Sequence, residues 1–284
     1  MLALAQFVMR GPLQASGVAA LAFAFPLLFW LGAAVVALVT LRLELRTGLN
    51  IALWALIPAV TWLFLGLDPA PLNVLLLTLL MAGILQTTAS WERALLAGAL
   101  LAAVLGHLIP SILPAMTEQL VDMGVSLLQQ VSPEVTEELG DNLEPLVKTM
   151  MLGIMAATHF FMAILSTLLA RGWQARLYNP GGLQREFHDF RLSGPAVLAS
   201  VLLMAFAPYL GVNPAIAALV FGMPLVFAGI ALVHGVVARR AMGNIWLVAF
   251  YASAFILGPN LLLMLIFVAI IDSWLDLRNR VKTH

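Results

Sequence analysis

The sequence predicts an all-α protein, a polytopic transmembrane bundle of about 8–10 helical segments with broken or re-entrant helices at both ends. Three observations predict it. Of the 284 residues 62% are hydrophobic and only 10% are charged. The mean hydropathy is +1.02, beyond what a soluble domain of this size keeps in solution. The sparse charges also segregate, arginines to one set of loops and carboxylates to the other. Residues 1–284 read as a single transmembrane domain with two solvent segments, an acidic loop over 111–147 and a motif loop over 171–193.

The first apolar run, 12–41, and the last, 244–275, each hold about thirty residues. A ~30 Å hydrocarbon core takes about twenty helical residues, so each run is long for one crossing and short for two. Arginine position decides between the two topologies. If each end doubles back, Arg10, Arg42 with Arg46, Arg93, the 171–191 arginines, Arg239 with Arg240, and the tail with Arg278, Arg280 and Lys282 share one side. The positive-inside rule makes that side cytoplasmic, with both termini on it. The breaks are present too, Pro26 in the first run and Gly258, Pro259 and Asn260 in the last. A kinked, tilted single helix at each end is the alternative. Ala22, Phe23 and Ala24 could pass for a signal-peptide cleavage site, but the apolar run continues through Pro26 to Leu41, so no removable signal is expected.

Between the ends, 48–66, 71–89, 93–113, 148–170, a shorter 194–210 and 214–238 read as spans. The acidic loop carries Glu118, Asp122, Glu134, Glu137, Glu138, Asp141 and Glu144, half of the protein's 14 acidic residues, and no Lys or Arg. Leu127, Val131, Val135, Leu139 and Leu143 recur every fourth residue in it. That spacing predicts two amphipathic helices along the outer membrane interface, the second started by Ser132 as cap and Pro133 at its first position. The loop reads as a solvated connector, or as a lid or docking surface.

The motif loop is the least generic segment. Trp173 and Tyr178 read as interface-anchoring aromatics. Asn179 to Gly182 is a turn, and Leu183, Phe187 and Phe190 share one face of a short helix after it. Amides freed at that helix start, with Arg171 and Arg176 nearby, suit a phosphate or carboxylate, on a substrate or on a lipid headgroup. Arg171, Trp173, Arg176, Tyr178, Asn179, Gly181 and Gly182 are therefore the ligand- or lipid-binding candidates. Gln86, Thr87, Thr158, His159 and Asn260 are the cavity-lining candidates, because polar groups at membrane depth must find partners or water. His107, His234 and Asp272 are further polar groups in or near spans, and an arginine of the same rim is the expected partner of Asp272. Small residues at Ala94, Gly98, Ala102 and Gly106, and at Ser16, Ala20 and Ala24, form faces that permit close helix approach.

Trp173, Gln174, Leu177, Tyr178, Asn179, Pro180, Gly181 and Gly182, with Glu186, Phe187 and Arg191, resemble the YybS-like family of bacterial integral membrane proteins. The opening block from Arg10 through Leu41, Arg42 and Gly48, and the ending Asp272 to Arg278, fit the same family. The resemblance implies a multi-pass protein of the bacterial cytoplasmic membrane; the family has no established activity. It is distantly similar to the substrate-binding subunits of energy-coupling-factor vitamin transporters and to a cell-shape scaffold protein. That likeness implies a solute-binding or partner-docking bundle, and it would make the Ser16, Ala20, Ala24 stripe a docking face like the alanine stripes of those subunits.

A net charge of zero, 14 basic against 14 acidic residues, argues against nucleic-acid binding, and the absence of cysteine removes disulfide and thiolate chemistry. No two histidines share a metal-binding spacing, and no nucleophile, acid and base fall into a catalytic pattern. No catalytic residue, metal or cofactor is therefore expected. Solute binding or transport by a bundle with a mid-membrane cavity is the first functional expectation; a tightly filled scaffold or partner-docking protein is the alternative. Membrane lipids, and a membrane partner subunit or a second copy of the chain, are the expected partners.

Overall fold

The computed structural model describes residues 1–65 and 68–280, and these are all-α; Lys282 of the tail lies outside them. A short leading helix α1 (Leu2–Val8) precedes the first apolar run, which is indeed two helices, α2 (Pro12–Ala24) and α3 (Phe29–Arg42). The chain turns at Pro26, with the Leu28 amide donating to the Phe25 carbonyl at 3.0 Å. Then follow α4 (Leu45–Leu65), α5 (Ala70–Thr88) and α6 (Trp91–Ile112), each within a few residues of the predicted span.

The acidic segment forms α7 (Pro114–Val131) and α8 (Pro133–Leu139), and a 3-10 turn leads into α9 (Leu143–Tyr178). At 36 residues α9 runs well past both ends of the span expected for it. Short α10 (Gly182–Asp189) carries the motif loop into α11 (Gly194–Phe206), and the two are bent by 70°. After α12 (Pro214–Arg239), the last apolar run is again two helices, α13 (Ile245–Leu257) and α14 (Pro259–Leu275), hinged at Gly258 with φ +51 and ending in α15 (Leu277–Arg280). Among the described residues five helices are long and apolar enough to cross a membrane, or six with the bent pair as one span.

Side-chain ties place the loops. The Gln174 amide donates to the Leu41 carbonyl at 2.8 Å, and Trp91 donates to Glu186. Arg239 pairs with Asp189 and Arg191 with Asp276. Met9 and Gly11 line one small recess with Leu43 and Thr47. Both terminal segments and the arginine clusters thus share one end of the bundle, as charge parity predicts. Lys148 is the exception, at the acidic end, and sequence reading passed over it. At that end all seven carboxylates of 111–147 are exposed.

α7 is held through Thr117, Val121 and Gly124, where a Cβ on Gly124 would sit 2.6 Å from Val147. The expected greasy face is a different one. Leu127, Val131 and Val135 stay exposed. Ser132 stands at the start of α8, but its hydroxyl makes no capping bond.

The core lies where α3, α5, α6, α9 and α12 meet. Ala33 through Leu38 of α3 are wholly inaccessible. The Ala94, Gly98, Ala102, Gly106 face is buried internally, since a Cβ on Gly98 would sit 2.7 Å from the Phe160 ring and one on Gly106 2.7 Å from Ala156. Such contacts let backbones approach closely and fill the axis with side chains.

Candidate functional site

The arginine-rich end is cross-tied. Arg171 on α9 grips Glu186 on α10 with two nitrogens, Nε at 3.0 Å from Oε2 and Nη2 on Oε1, while Nη1 donates to Gln174 Oε1 at 2.6 Å. Gln174 in turn holds the end of α3, and Trp91 Nε1 of α6 donates to Glu186 at 3.3 Å. Beside this chain, Glu92 accepts from the Ser193 amide at 2.6 Å and from its hydroxyl at 3.1 Å, and Ser193 caps α11. Four helices, α3, α6, α9 and α11, are thereby clasped together at the motif loop.

The C-terminal segment adds a second tie. Asp272 and Arg278 form a buried pair at 2.9 Å, and Asp272 also accepts from the Leu277 amide. Arg278 donates onward to the His188 carbonyl at 2.9 Å. The partner expected for Asp272, an arginine of the same rim, is Arg278.

These ties correct several candidates. Arg171 is paired with Glu186 and also bonds Gln174, so its charge is already neutralised within the protein. Trp173 is buried with its indole nitrogen unpartnered, so it is a core residue and no interface anchor. Tyr178 is exposed and lies under the Arg42 guanidinium, 4.1 Å from ring centroid to Cζ. Asn179 closes α9, and its carbonyl accepts from Gly182 at 2.9 Å. Gly181 takes φ +80, a conformation glycine adopts without strain. At Gly182 a Cβ would meet Asn179 Nδ2 at 2.5 Å. This is a tight turn, closed on the Asn179 side of Gly182 and open at Gly181.

The cavity candidates also separate. Thr158 is exposed on the outer face of α9 and bonds the Ile154 carbonyl. Thr87 bonds the Gly83 and Ile84 carbonyls beside a shallow groove between α4 and α5. Gln86 is half-buried near that helix end, and Asn260 is exposed at the tip of the last hairpin. None of these four lines an interior cavity. His159 is buried, but its ring bonds Asn73 Nδ2 at 3.2 Å across α5 and α9. Sequence reading missed Asn73, although an amide inside an apolar span was its signal.

Between α9, α10 and α13 lies an open cleft of about 570 Å³, within the range of small-molecule sites. Gly172, Arg176, Gly181, Leu183, His188, His234 and Leu247 contribute to it, from α9, the motif turn, α10, α12 and α13. Arg176 and Gly181 are thus the two motif candidates that do line a site. His188 and His234, far apart in sequence, bring their rings to 6.5 Å between centroids, and His234 bonds the Tyr251 hydroxyl at 2.8 Å. Burial holds the His188 imidazole below its ordinary 6.5, against the opposing pull of Asp189. Among the described residues no group of three His, Asp or Glu gathers as a metal site.

No family model, curated protein or solved structure matches the chain.

Proposed function

We propose that this multi-pass protein acts as a partner-docking or scaffold bundle of the bacterial cytoplasmic membrane, with both termini cytoplasmic, and not as a conduit or an enzyme. The filled axis carries the reading. The polar pair where α5 meets α9, Asn73 with His159, is satisfied within the protein, and the helices around it interdigitate at glycine and alanine contacts. A mid-membrane transport site needs broken helices around a wet cavity. The breaks at Pro26 and Gly258 instead sit at hairpin tips.

Two further features support docking. Ser16, Gly17 and Ala20 of α2 line an open groove of about 440 Å³ with Trp54, and a Cβ on Gly17 would meet nothing within 4 Å. Small residues left uncovered in this way accept a neighbouring transmembrane helix at short range. The YybS-like resemblance, through the vitamin-transporter subunits it is distantly similar to, points to the same early helix. The solute-binding reading retains one specific observation, the rim cleft at Arg176.

The natural lack of cysteine makes the test direct. Single cysteines replacing Ala99, Ala163 and Thr78 on the packed axis should resist a membrane-impermeant maleimide from either side, whereas Ser16→Cys in native membranes should form a specific disulfide or cross-link. Labelling of the axial positions in intact vesicles would favour transport and remove the scaffold reading.

A further inference from the structure

α13 is anomalous for a bundle helix. None of its residues from Ile245 to Leu257 is buried, and a hydrogen bond between Tyr251 and His234 ties it to the body. On either side of it lies a cleft. One, of about 570 Å³, separates it from α9 and α10. The other, of about 580 Å³, lies between α12, α13 and α14 and is walled by Leu232, Val236, Trp246, Phe250 and Val268. Both are mainly apolar, and both reach the arginine-rich rim.

Each cleft has one arginine at that rim, Arg176 in the first and Arg240 in the second. Both are exposed, and among the described residues neither has a carboxylate partner, whereas Arg171, Arg191, Arg239 and Arg278 all do. A crevice between transmembrane helices, with a cation at its mouth and hydrocarbon walls below, matches a phospholipid with an anionic head. Basic pockets of this kind between helices recognise such lipids.

We propose that α13 is packed against the bundle by two bound anionic phospholipids, one in each cleft, with their phosphates on Arg176 and Arg240 and their chains along α13. The lipids supply the contacts that α13 lacks from protein, and they do so whether or not the bundle docks a partner.

Native mass spectrometry tests this on the full-length protein released from vesicles of equal parts phosphatidylglycerol and phosphatidylethanolamine. The parent should retain two phosphatidylglycerol molecules, Arg176→Gln and Arg240→Gln one each, and the double variant none. Arg176→Lys and Arg240→Lys, which keep the charge, should retain both. A Cβ on Gly172 meets only Leu183, at 3.5 Å, so Gly172→Leu has room to project into the first cleft and should expel one lipid with both arginines intact. That variant also guards against misfolding of the glutamine variants. A double variant holding as much phosphatidylglycerol as the parent would overturn the proposal. So would equal retention of phosphatidylethanolamine, or a lipid-free dimer, which would assign the clefts to a neighbouring copy.

Discussion

The two terminal hairpins start from the same signal, about thirty apolar residues interrupted by a proline, and finish differently. At the N-terminal end both helices join the body. α2 buries Ala15, Ala19, Ala22 and Phe23, and α3 is buried almost throughout, with Gly32 against the Phe23 ring. At the C-terminal end only the second helix joins. α14 approaches α12 so closely that a Cβ on Gly229 would sit 2.6 Å from the Leu265 carbonyl, while α13 buries nothing.

Residue size explains the contrast. Hydrocarbon is as apolar as leucine, so helix association in a membrane depends on close packing and hydrogen bonds, which small residues permit. α2 and α3 offer alanine and glycine. α13 offers Trp246, Phe250, Tyr251 and Phe255, which hold neighbours away. Hydropathy places a helix in the membrane, and side-chain size decides whether it joins the core.

The largest expected effect is at the foot of the C-terminal hairpin. Arg278→Ala strands a buried Asp272 and should cost about 3–5 kcal/mol, read as a lowered melting temperature in detergent. Replacing both residues by leucine should cost less than either single change. Equal losses would mean that the foot is held by something other than the ion pair.

Next comes the N-terminal hairpin, where Gly32→Val forces a side chain onto a position 2.6 Å from the Phe23 ring. Overpacking of that kind costs about 1–3 kcal/mol. The matched change Ala252→Val, on the exposed face of α13, should stay within about 0.5 kcal/mol. Similar melting shifts for the two would erase the contrast between the hairpins.

Tyr251→Phe removes the bond to His234 and should cost about 0.5–1.5 kcal/mol. The loss should appear mainly as faster hydrogen exchange in α13, with the rest of the bundle unchanged. Exchange spreading into α12 would mean that α13 is part of the core after all.

The smallest effect is a pH dependence at His188. Its affinity for a proton is lower folded than unfolded, so protonation favours the unfolded chain. Its contribution is absent well above pH 6.5 and becomes destabilising as the pH falls below that value. His188→Gln should flatten the acid side of the melting profile, and an identical profile would assign that slope to other groups.

Much of the architecture was legible in the chain. The spans 71–89, 93–113 and 214–238, the two hairpins, the arginine-rich end and the partner of Asp272 follow from hydropathy, proline position and charge. The site was less legible. Arg171 looked like an anion ligand because its partner Glu186, fifteen residues on, meets it only after the turn at Asn179 to Gly182 reverses the chain. Trp173 looked like an interface anchor because composition does not say which face of α9 turns inward. Thr158 and His159 are adjacent, and helical rotation sends one outward and the other into the core.

Transfer free energies add along a chain with little regard to its neighbours, so the amino acids alone determined that this protein is helical, lies in a membrane, turns back at both ends and sorts its charge. Packing and ion pairing depend on which faces meet, often more than eighty residues apart, as for Asn73 with His159 and Glu92 with Ser193. Tertiary structure alone therefore decided that the axis is filled, that Arg171, Arg191, Arg239 and Arg278 are paired with carboxylates, and that α13 stands apart beside two clefts, each with an arginine at its mouth that has no carboxylate partner among the described residues.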